Sequence, residues 1–504
     1  MANHCQNGVG QIDFRLLVFL FIISFFGAST EASEKVFRLH LSQEPSHLDP
    51  NKQRTSSASY LLGNLYRNIF FYDNERGLVP DLGEKCLWQR KYLLCTLKKD
   101  LKWSDGSALT ARDFIQTYQK ILTPTQAIPR ADLLFWILHA EDIYKGALPP
   151  EKLGVQALDN RTLRFEFEEN TPFREFEYHL SLTTLAPTKK DLSAFSGPYK
   201  IKSRKPGQNI LLESNSSYPG GFSSRPAVEF VFVEEDTTAL QLYEKKELQF
   251  LRRLPTLFIT RYKERPDFHW IPMLRMDYLG FGPELKAHED VRKALTYSLQ
   301  YEELQKIFFS EGRPGCIGLP DSWFPMKAPC VDFDLKKIPP LKKNSSSYTF
   351  LFSALGGEDH KRATEWMQSQ WRKHAGLNVS LEVKENKIFL QQLQQRTPAL
   401  FRKGVSPDRP TCLAALETFA PNSPENYIQL RDPQYEKFLV SLAKASSKKE
   451  QEKWCLRGTE WLLQHHLIIP LGPIHFSILA QPDFSGWKLN QMNQLDLSDL
   501  RSRP

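Results

Sequence analysis

Cysteine thiols are the side chains whose spacing says most about possible chemistry in this chain of 504 residues. None of the seven cysteines has the Cys-x-x-Cys spacing of a zinc site. Cys86 and Cys95 flank the segment CLWQRKYLLC, and a two-residue turn at Arg90 and Lys91 would place the two thiols opposite each other on adjacent strands. Because that turn lacks the glycine or asparagine that such hairpins prefer, free thiols stay the alternative to a Cys86–Cys95 disulfide.

Linear catalytic motifs are absent from the sequence, which contains no GxxxxGK[ST], GxGxxG, GxSxG or HExxH segment. The one adjacent pair among the twelve histidines, His465 and His466, lies in an apolar helical context that favours a core or boundary role over metal binding. We therefore predict no catalytic residue, no metal site and no cofactor. Catalytic sites need no linear motif, so an enzyme or a structural partner protein remains a third class of interpretation.

Composition is ordinary for a globular protein, with 41% hydrophobic and 25% charged residues, and the length suits two or three domains. A net charge of +8 is modest for this length, and the lysines and arginines form short clusters instead of a basic stripe. We therefore expect no nucleic-acid partner. The 12% of aromatic residues fit either a large core or a cleft that binds flat ligands.

The N-terminus has the pattern of a secretory signal peptide. Residues 16–26 (LLVFLFIISFF) form an uncharged, apolar run that is too short to span a membrane, and Arg15 precedes it. Small residues at Thr30 and Ala32 permit cleavage after Ala32, which predicts a signal peptide over residues 1–32. Since Cys5 precedes the apolar run, no lipid-accepting cysteine stands at the cleavage site, and we expect a soluble, exported mature protein.

The elements that must position any site alternate irregularly between strands and helices, which indicates a mixed α/β fold. Thr110 can cap a helix that Pro124 stops, with Asp113 near the positive end of the helix dipole. Further helices are predicted from about Glu289 and over residues 359–375, the second ended by Gly376. Alternating or apolar segments predict strands at residues 163–167, 228–233, 348–352 and 379–383.

The segment LKWSDGSALTARDF at residues 101–114 closely resembles a KWSDG-x-P-[LV]-T-A-x-D-F segment of the family 5 extracellular solute-binding proteins. These are the oligopeptide- and dipeptide-binding components of ABC importers. Six further landmarks of the family recur in the right order, at residues 48–50, 153–159, 197–201, 213–218, 290–295 and 371–379. The resemblance therefore extends along nearly the whole mature chain.

The resemblance implies an α/β periplasmic binding protein-like fold of class II, in which two lobes close on a ligand by a hinge and a third domain is inserted. On this basis lobe I comprises residues 33–70, 188–276 and 473–504. Domain II comprises residues 71–187, and lobe III comprises residues 277–472.

The resemblance also implies a ligand-binding site. In peptide-binding relatives an aspartate after a GWxxD-type segment holds the ligand α-amine, and Gly404 and Asp408 match that segment. Val405 replaces its tryptophan and Arg409 its following tyrosine, and Arg409 could neutralise Asp408 internally. An exposed loop aspartate is the alternative role for Asp408.

Three further residues match family positions that line the site or meet the ligand carboxylate. Arg402 matches an arginine that contacts this carboxylate in some relatives, with a surface ion pair as the alternative. His360 stands eleven residues before Trp371, the family spacing of a histidine of similar role, with a position at the start of a helix as the alternative. Glu44, five residues before Asp49, matches a glutamate on the first strand.

The function implied by the resemblance is capture of short peptides in an interlobe cleft and their delivery to the permease subunits of an ABC importer in the inner membrane. The protein would then be a periplasmic, non-enzymatic monomer. The alternative is the same fold with a non-peptide solute, such as a metal chelate, haem or a sugar. The replacement of the tryptophan and tyrosine beside Asp408 supports that alternative.

Overall fold

The computed structural model describes residues 35–53, 56–169, 171–219, 225–308, 313–341 and 347–503. The predicted signal peptide, residues 1–32, lies outside the described residues. Within the part of the chain that the structure describes, every helix is too short or too polar to cross a bilayer.

Strands and helices alternate along the chain, as the sequence pattern predicted. The strands are β1 (Phe37–Leu41), β2 (Phe70–Asp73), β3 (Gly77–Pro80), β4 (Gly83–Gln89), β5 (Tyr92–Leu97), β6 (Val155–Ala157), β7 (Thr162–Glu166), β8 (Tyr199–Lys205), β9 (Asn209–Ser214), β10 (Val228–Phe232), β11 (Phe250–Leu251), β12 (Phe268–Phe281), β13 (Tyr348–Ser353), β14 (Val379–Lys384), β15 (Leu400–Val405), β16 (Ile468–Ala480), β17 (Phe484–Ser485), β18 (Lys488–Leu489), β19 (Leu495–Asp496) and β20 (Arg501–Ser502). The helices are α1 (Ser56–Leu65), α2 (Ala111–Leu122), α3 (Ala140–Tyr144), α4 (Phe176–His179), α5 (Asp236–Glu244), α6 (Ile259–Tyr262), α7 (Pro283–Lys286), α8 (Glu289–Tyr297), α9 (Tyr301–Phe308), α10 (Gly357–Gln370), α11 (Asn386–Gln395), α12 (Cys412–Glu417), α13 (Pro433–Ala443) and α14 (Lys448–Gln464).

The largest sheet has ten strands in the order β14-β13-β15-β12-β16-β11-β1-β10-β9-β8. Its two longest strands, β12 and β16, run antiparallel through the middle, and their register shifts on both sides of Met276, which pairs with Pro473. On one side of the shift β16 pairs with β11, and on the other β12 pairs with β15. The two strands therefore connect two halves of the sheet, and the lobe boundaries expected after residues 276 and 472 coincide with the shift. The division into lobes itself stays a prediction.

Helix boundaries follow the capping signals of the sequence. Helix α2 begins directly after Thr110, whose N–H donates to Asp113 Oδ2 at 2.7 Å, and it ends before Pro124. This capping interaction satisfies a main-chain donor that the first turn would leave unpaired. Helix α8 begins at Glu289, as predicted. Helix α10 begins two residues before the predicted residue 359, and its final turn continues as π-helix to Ala375, where Gly376 at φ +65° ends it.

Separate clusters of buried side chains support the sheet and its flanking layers. A four-stranded sheet, β4-β5-β7-β6, packs against α2, and its core includes Trp103, Phe114 and Phe165. A second cluster packs around β15 and helices α12, α13 and α14 and includes Tyr278 and Phe401. Apolar side chains at the spacing of a strand or a helix face bury together because their transfer from water is favourable.

All six cysteines of the described residues form disulfides. The predicted Cys86–Cys95 bond is confirmed: Arg90 and Lys91 form the turn between β4 and β5, and the two cysteines are register partners. Arg90 adopts φ +54°, which supplies the left-handed conformation without a glycine. The other two bonds, Cys316–Cys330 and Cys412–Cys455, join segments whose proximity the linear sequence does not reveal.

The histidine pair has no metal-binding arrangement. His466 is buried and its Nε2 lies 3.0 Å from the Tyr297 hydroxyl, whereas His465 is exposed and stacks on Trp461. Among the residues that the structure describes, no group of three or more histidine, cysteine or acidic side chains could hold a metal ion.

Candidate functional site

The C-terminal half of β15 has one open edge. Strand β12 pairs with all of β15, but β13 pairs only with Leu400 and Phe401 before it diverges. Between residues 402 and 405, β15 therefore has a strand partner on one side only among the described strands. An extended main chain can pair with such an edge, and this kind of recognition tolerates many side-chain sequences.

Gly404 lies in this half of β15, and its lack of a side chain makes room there for the ends of two charged side chains. A Cβ atom at this position would lie 2.0 Å from Arg275 Nη2 and 2.1 Å from Asp277 Oδ1. The Arg275 side chain therefore lies directly over Gly404, with about a third of its surface exposed. The match of Gly404 to a family glycine thus has a local steric reason in this chain.

Asp277 is the buried carboxylate at the centre of the surrounding charges. Arg275 Nε donates to its Oδ1 at 2.6 Å, and Arg402 Nη2 lies 3.5 Å from its Oδ2. Burial opposes the ionisation of Asp277, but the two guanidinium groups outweigh it and lower its pKa to about 2. Arg402, a predicted site residue, is itself almost entirely buried, at 5% exposure.

His360, the other residue predicted to meet the ligand carboxylate, belongs to the same cluster. Its side chain is half-buried at the start of α10. Burial, together with the positive charges of Arg402, Arg253 and Arg275, lowers its pKa well below the ordinary value, against the opposing effect of Asp277. The imidazole is therefore neutral at pH 7 and can donate or accept a hydrogen bond.

Arg253, Arg275 and Asp277 are functional candidates that the sequence reasoning missed. A signal was present for two of them, because Arg275 and Asp277 interrupt the apolar strand sequence MLRMDYLGF at alternate positions. Alternation places both side chains on one face of β12. Arg253 had no comparable signal in the sequence. It follows the two-residue strand β11, and only the order of strands in the sheet brings it near the other residues.

Asp408 lies beyond β15 in a second, acidic cluster. Arg409 Nη1 donates to its Oδ1 at 2.7 Å, and Arg130 Nη2 donates to its Oδ2 at 3.2 Å. His179 Nε2 stands 3.8 Å from the same Oδ2. Burial opposes ionisation, but Arg409, His179 and Arg130 hold the pKa of Asp408 well below its usual range. The internal neutralisation expected from Arg409 is therefore present.

The cluster as a whole still carries more carboxylates than guanidinium groups. Arg409 also bonds Glu175, at 2.7 Å, and Glu417. Arg130 also bonds Asp132 at 3.0 Å. Four carboxylates thus face two guanidinium groups, and the imidazole of His179 is neutral because burial lowers its pKa. We name these residues the acidic cluster: Arg130, Asp132, Glu175, His179, Asp408, Arg409 and Glu417.

Glu44 lies apart from both clusters in its recorded contacts. Its carboxylate accepts from Arg204 Nε at 2.6 Å and from the Gly207 N–H at 2.8 Å, at the turn between β8 and β9. Burial opposes ionisation, but these two donors lower its pKa. The structure therefore brings Arg402, His360 and Gly404 together, places Asp408 farther along the same segment, and ties Glu44 to another hairpin. Its role in lining the site stays a prediction.

Comparison with known proteins identifies the class of this arrangement. Residues 77–427 match the model of the bacterial extracellular solute-binding proteins, family 5 Middle. The periplasmic oligopeptide-binding protein OppA of Salmonella typhimurium is 25% identical over 479 residues, which cover 88% of each chain.

Solved structures share the fold. The murein tripeptide-binding protein MppA of Escherichia coli superposes with a TM-score of 0.82 at 19% identity, over 94% of this chain and 99% of that chain. OppA of Haemophilus influenzae in complex with RPPGFSPFR gives a TM-score of 0.80 at 21% identity, over 93% of this chain and 99% of that chain.

Proposed function

Because the chain belongs to the family 5 bacterial extracellular solute-binding proteins, we propose that it captures short peptides and delivers them to the permease of an ABC importer. The relatives named as oligopeptide-binding proteins and the neighbour solved with a bound peptide support this ligand class. Capture consists of binding, closure and docking, without covalent chemistry. The sequence pattern of residues 1–32 and the periplasmic relatives support export to the periplasm.

One observation carries the proposal: an open strand edge lies between two clusters of opposite charge. The edge at residues 402–405 can pair with the main chain of an extended peptide, which makes binding tolerant of the peptide sequence. Guanidinium groups gather around Asp277 beside this edge, and carboxylates predominate around Asp408 beyond it. A zwitterionic peptide has the complementary charges at its two ends.

In this proposal Asp408 receives the peptide α-amine. Its Oδ2 is the more weakly held oxygen, because Arg130 donates to it through the longer bond of 3.2 Å, whereas Oδ1 accepts the 2.7 Å bond from Arg409. The excess of carboxylates in the acidic cluster favours a third cation there. The charge of Arg402 attracts the negative end of the peptide, and the neutral imidazole of His360 can donate a hydrogen bond to it. Hydrogen bonds to a charged group contribute about 1.5–3 kcal/mol each.

Native mass spectrometry of the mature protein, purified without denaturant, tests the proposed function. We expect a ladder of bound masses that match short peptides. A single bound mass that fits no peptide would instead identify a non-peptide solute. A protein that is empty and also ignores a synthetic peptide library would contradict peptide capture.

A further inference from the structure

Three arginines from different parts of the sheet, Arg402, Arg253 and Arg275, all help to lower the pKa of His360, and Arg275 lies over Gly404. Arg275 lies within the register shift of β12, between Met273 and Met276, and Arg253 follows β11. Arg402 lies on β15. We name Arg253, Arg275, Asp277, His360 and Arg402 the basic cluster.

The charges of the basic cluster do not balance. Asp277 contacts Arg275 at 2.6 Å and Arg402 at 3.5 Å. Asp236 reaches Arg253 only at 3.7 Å. In these three ion pairs, three guanidinium groups face two carboxylates. Lys403 adds a further cation: it donates to the Gly404 carbonyl at 2.9 Å, and Glu425 favours its charged form. Like charges held close in a partly desolvated site repel strongly, so an added anion would stabilise this arrangement.

The cluster is layered in a way that suits an incoming ligand. Asp277 and Arg402 form its buried floor, with side-chain exposures of 4% and 5%. Arg275 and Arg253 form its rim, with side-chain exposures of 34% and 39%. The rim therefore presents two guanidinium groups, each able to bind a carboxylate through two parallel hydrogen bonds.

The position of Arg275 decides which part of a ligand it meets. Its guanidinium lies over Gly404, within the open edge at residues 402–405 and not at the end of that edge. A peptide paired with this edge passes Gly404 with its chain continuing, so a side chain of the peptide faces the rim.

We propose that Arg253 and Arg275 form a specificity site for a carboxylate side chain, so that the preferred ligands are short peptides containing glutamate or aspartate at one defined position. This inference rests on the proposed function, because it names the substrate class of the same site.

The test uses calorimetric titration of the mature protein with matched alanine tetrapeptides and pentapeptides that carry either glutamate or glutamine at each position in turn. We expect glutamate to bind at least about tenfold more tightly than glutamine at one position, equivalent to about 1.4 kcal/mol. Arg275→Gln and Arg253→Gln should each remove most of this preference, so that each variant binds the glutamate and glutamine peptides with nearly equal affinity. Arg161→Gln is the matched control, because Arg161 has a similar exposure of 35% and pairs with the surface residue Glu84.

The remaining outcomes separate this inference from the function on which it rests. Peptides that bind with no difference between glutamate and glutamine would overturn the specificity site and leave peptide capture intact. A preference that depends only on a free C-terminal carboxylate, measured with C-terminally amidated peptides, would also overturn it, because Arg253 and Arg275 would then bind the end of the chain and not a side chain. Failure of the unmodified protein to bind any of the peptides would overturn both the specificity site and peptide capture. If Arg275→Gln fails to fold, the Arg253→Gln variant alone tests the specificity site.

Discussion

At the scale of single residues, the neighbours of each predicted site residue determine what it can do. Asp408 was expected to hold an α-amine, and in the structure it already accepts from Arg409 and Arg130. Its carboxylate is therefore a shared member of the acidic cluster. Arg402 is likewise tied to Asp277, so its charge acts on a ligand from beneath the exposed arginines.

Asp408→Asn should weaken binding of free-amine peptides by about tenfold, because a neutral amide loses the charge-assisted bond to the ammonium group. N-acetylation of the same peptide should weaken its binding to the unmodified protein by a similar factor and leave its binding to the variant almost unchanged. Calorimetry with both peptides measures the two effects. Equal losses on acetylation in the two proteins would show that the amine binds elsewhere.

Gly404→Ala should abolish peptide binding and lower the free energy of unfolding by about 1–3 kcal/mol, because the methyl group would overlap Arg275 and Asp277. Chemical denaturation and calorimetry measure the two effects. Gly63→Ala in α1 is the control, since its Cβ would meet only Thr183 Oγ1 at an ordinary 3.4 Å. Alanine is expected to be neutral or stabilising at that helical position. Unchanged binding by Gly404→Ala would exclude a site at this edge.

His466 should make the folded state sensitive to acid. Burial, followed by the charge of Lys293, lowers its pKa from 6.5 to about 4, so the fold favours the neutral imidazole. This contribution is fully present above pH 6.5 and is lost as the pH falls from 6.5 towards 4, to a total of about 3 kcal/mol. His466→Gln should therefore lose less stability over this range than the unmodified protein, as measured by denaturation at several pH values. The exposed His465→Gln serves as control, and an identical pH dependence for all three proteins would contradict the expectation.

At the scale of elements, the disulfides differ in the length of chain that they close. Cys86–Cys95 closes a hairpin with a sequence separation of 9, whereas Cys412–Cys455 joins α12 to α14 across a separation of 43. Helix α12 directly follows the acidic cluster and supplies Glu417 to it. The Cys412–Cys455 disulfide therefore also anchors the helix that supplies Glu417 to the acidic cluster.

Replacing Cys412 and Cys455 together by alanine should lower the free energy of unfolding by about 4 kcal/mol, against about 3 kcal/mol for the Cys86 and Cys95 pair, because the longer loop gains more entropy in the unfolded state. Denaturation of the two double variants measures the difference. The Cys412 and Cys455 variant should also bind peptide more weakly, since α12 loses its anchor. A larger loss of stability for the hairpin pair would contradict the argument from loop length.

At the scale of the whole molecule, β12 and β16 are the elements shared by both halves of the large sheet. Their register shift at Met276 is the place where the paired strands change partners. A change in the angle between the two halves of the sheet would break the fewest hydrogen bonds between paired strands if it occurred at this shift. The hinge motion implied by the family resemblance is therefore expected at this point.

Saturation with a short peptide should reduce the radius of gyration of the mature protein, because closure brings the two halves together. Small-angle X-ray scattering with and without peptide measures this change, and free alanine at the same concentration is the control. A scattering curve that peptide leaves unchanged would favour a structural role without closure.

The sequence by itself determined the features that local interactions control. The cap at Thr110, the stop at Pro124, the end of α10 at Gly376 and the Cys86–Cys95 hairpin all follow from contacts between residues close in the chain. The family motif at residues 101–114 was recognisable for the same reason. Its match to the family therefore indicates the fold and the class of protein from the sequence alone.

The tertiary structure decided which charges meet, because those contacts join residues far apart in the chain. Asp408 pairs with Arg130 across 278 positions, and Arg402 pairs with Asp277 across 125. No local propensity encodes such pairs; they depend on the order of strands in the sheet and on where β13 leaves β15. The partners that neutralise Asp408 and the arginine that lies over Gly404 are decided only by the assembled sheet.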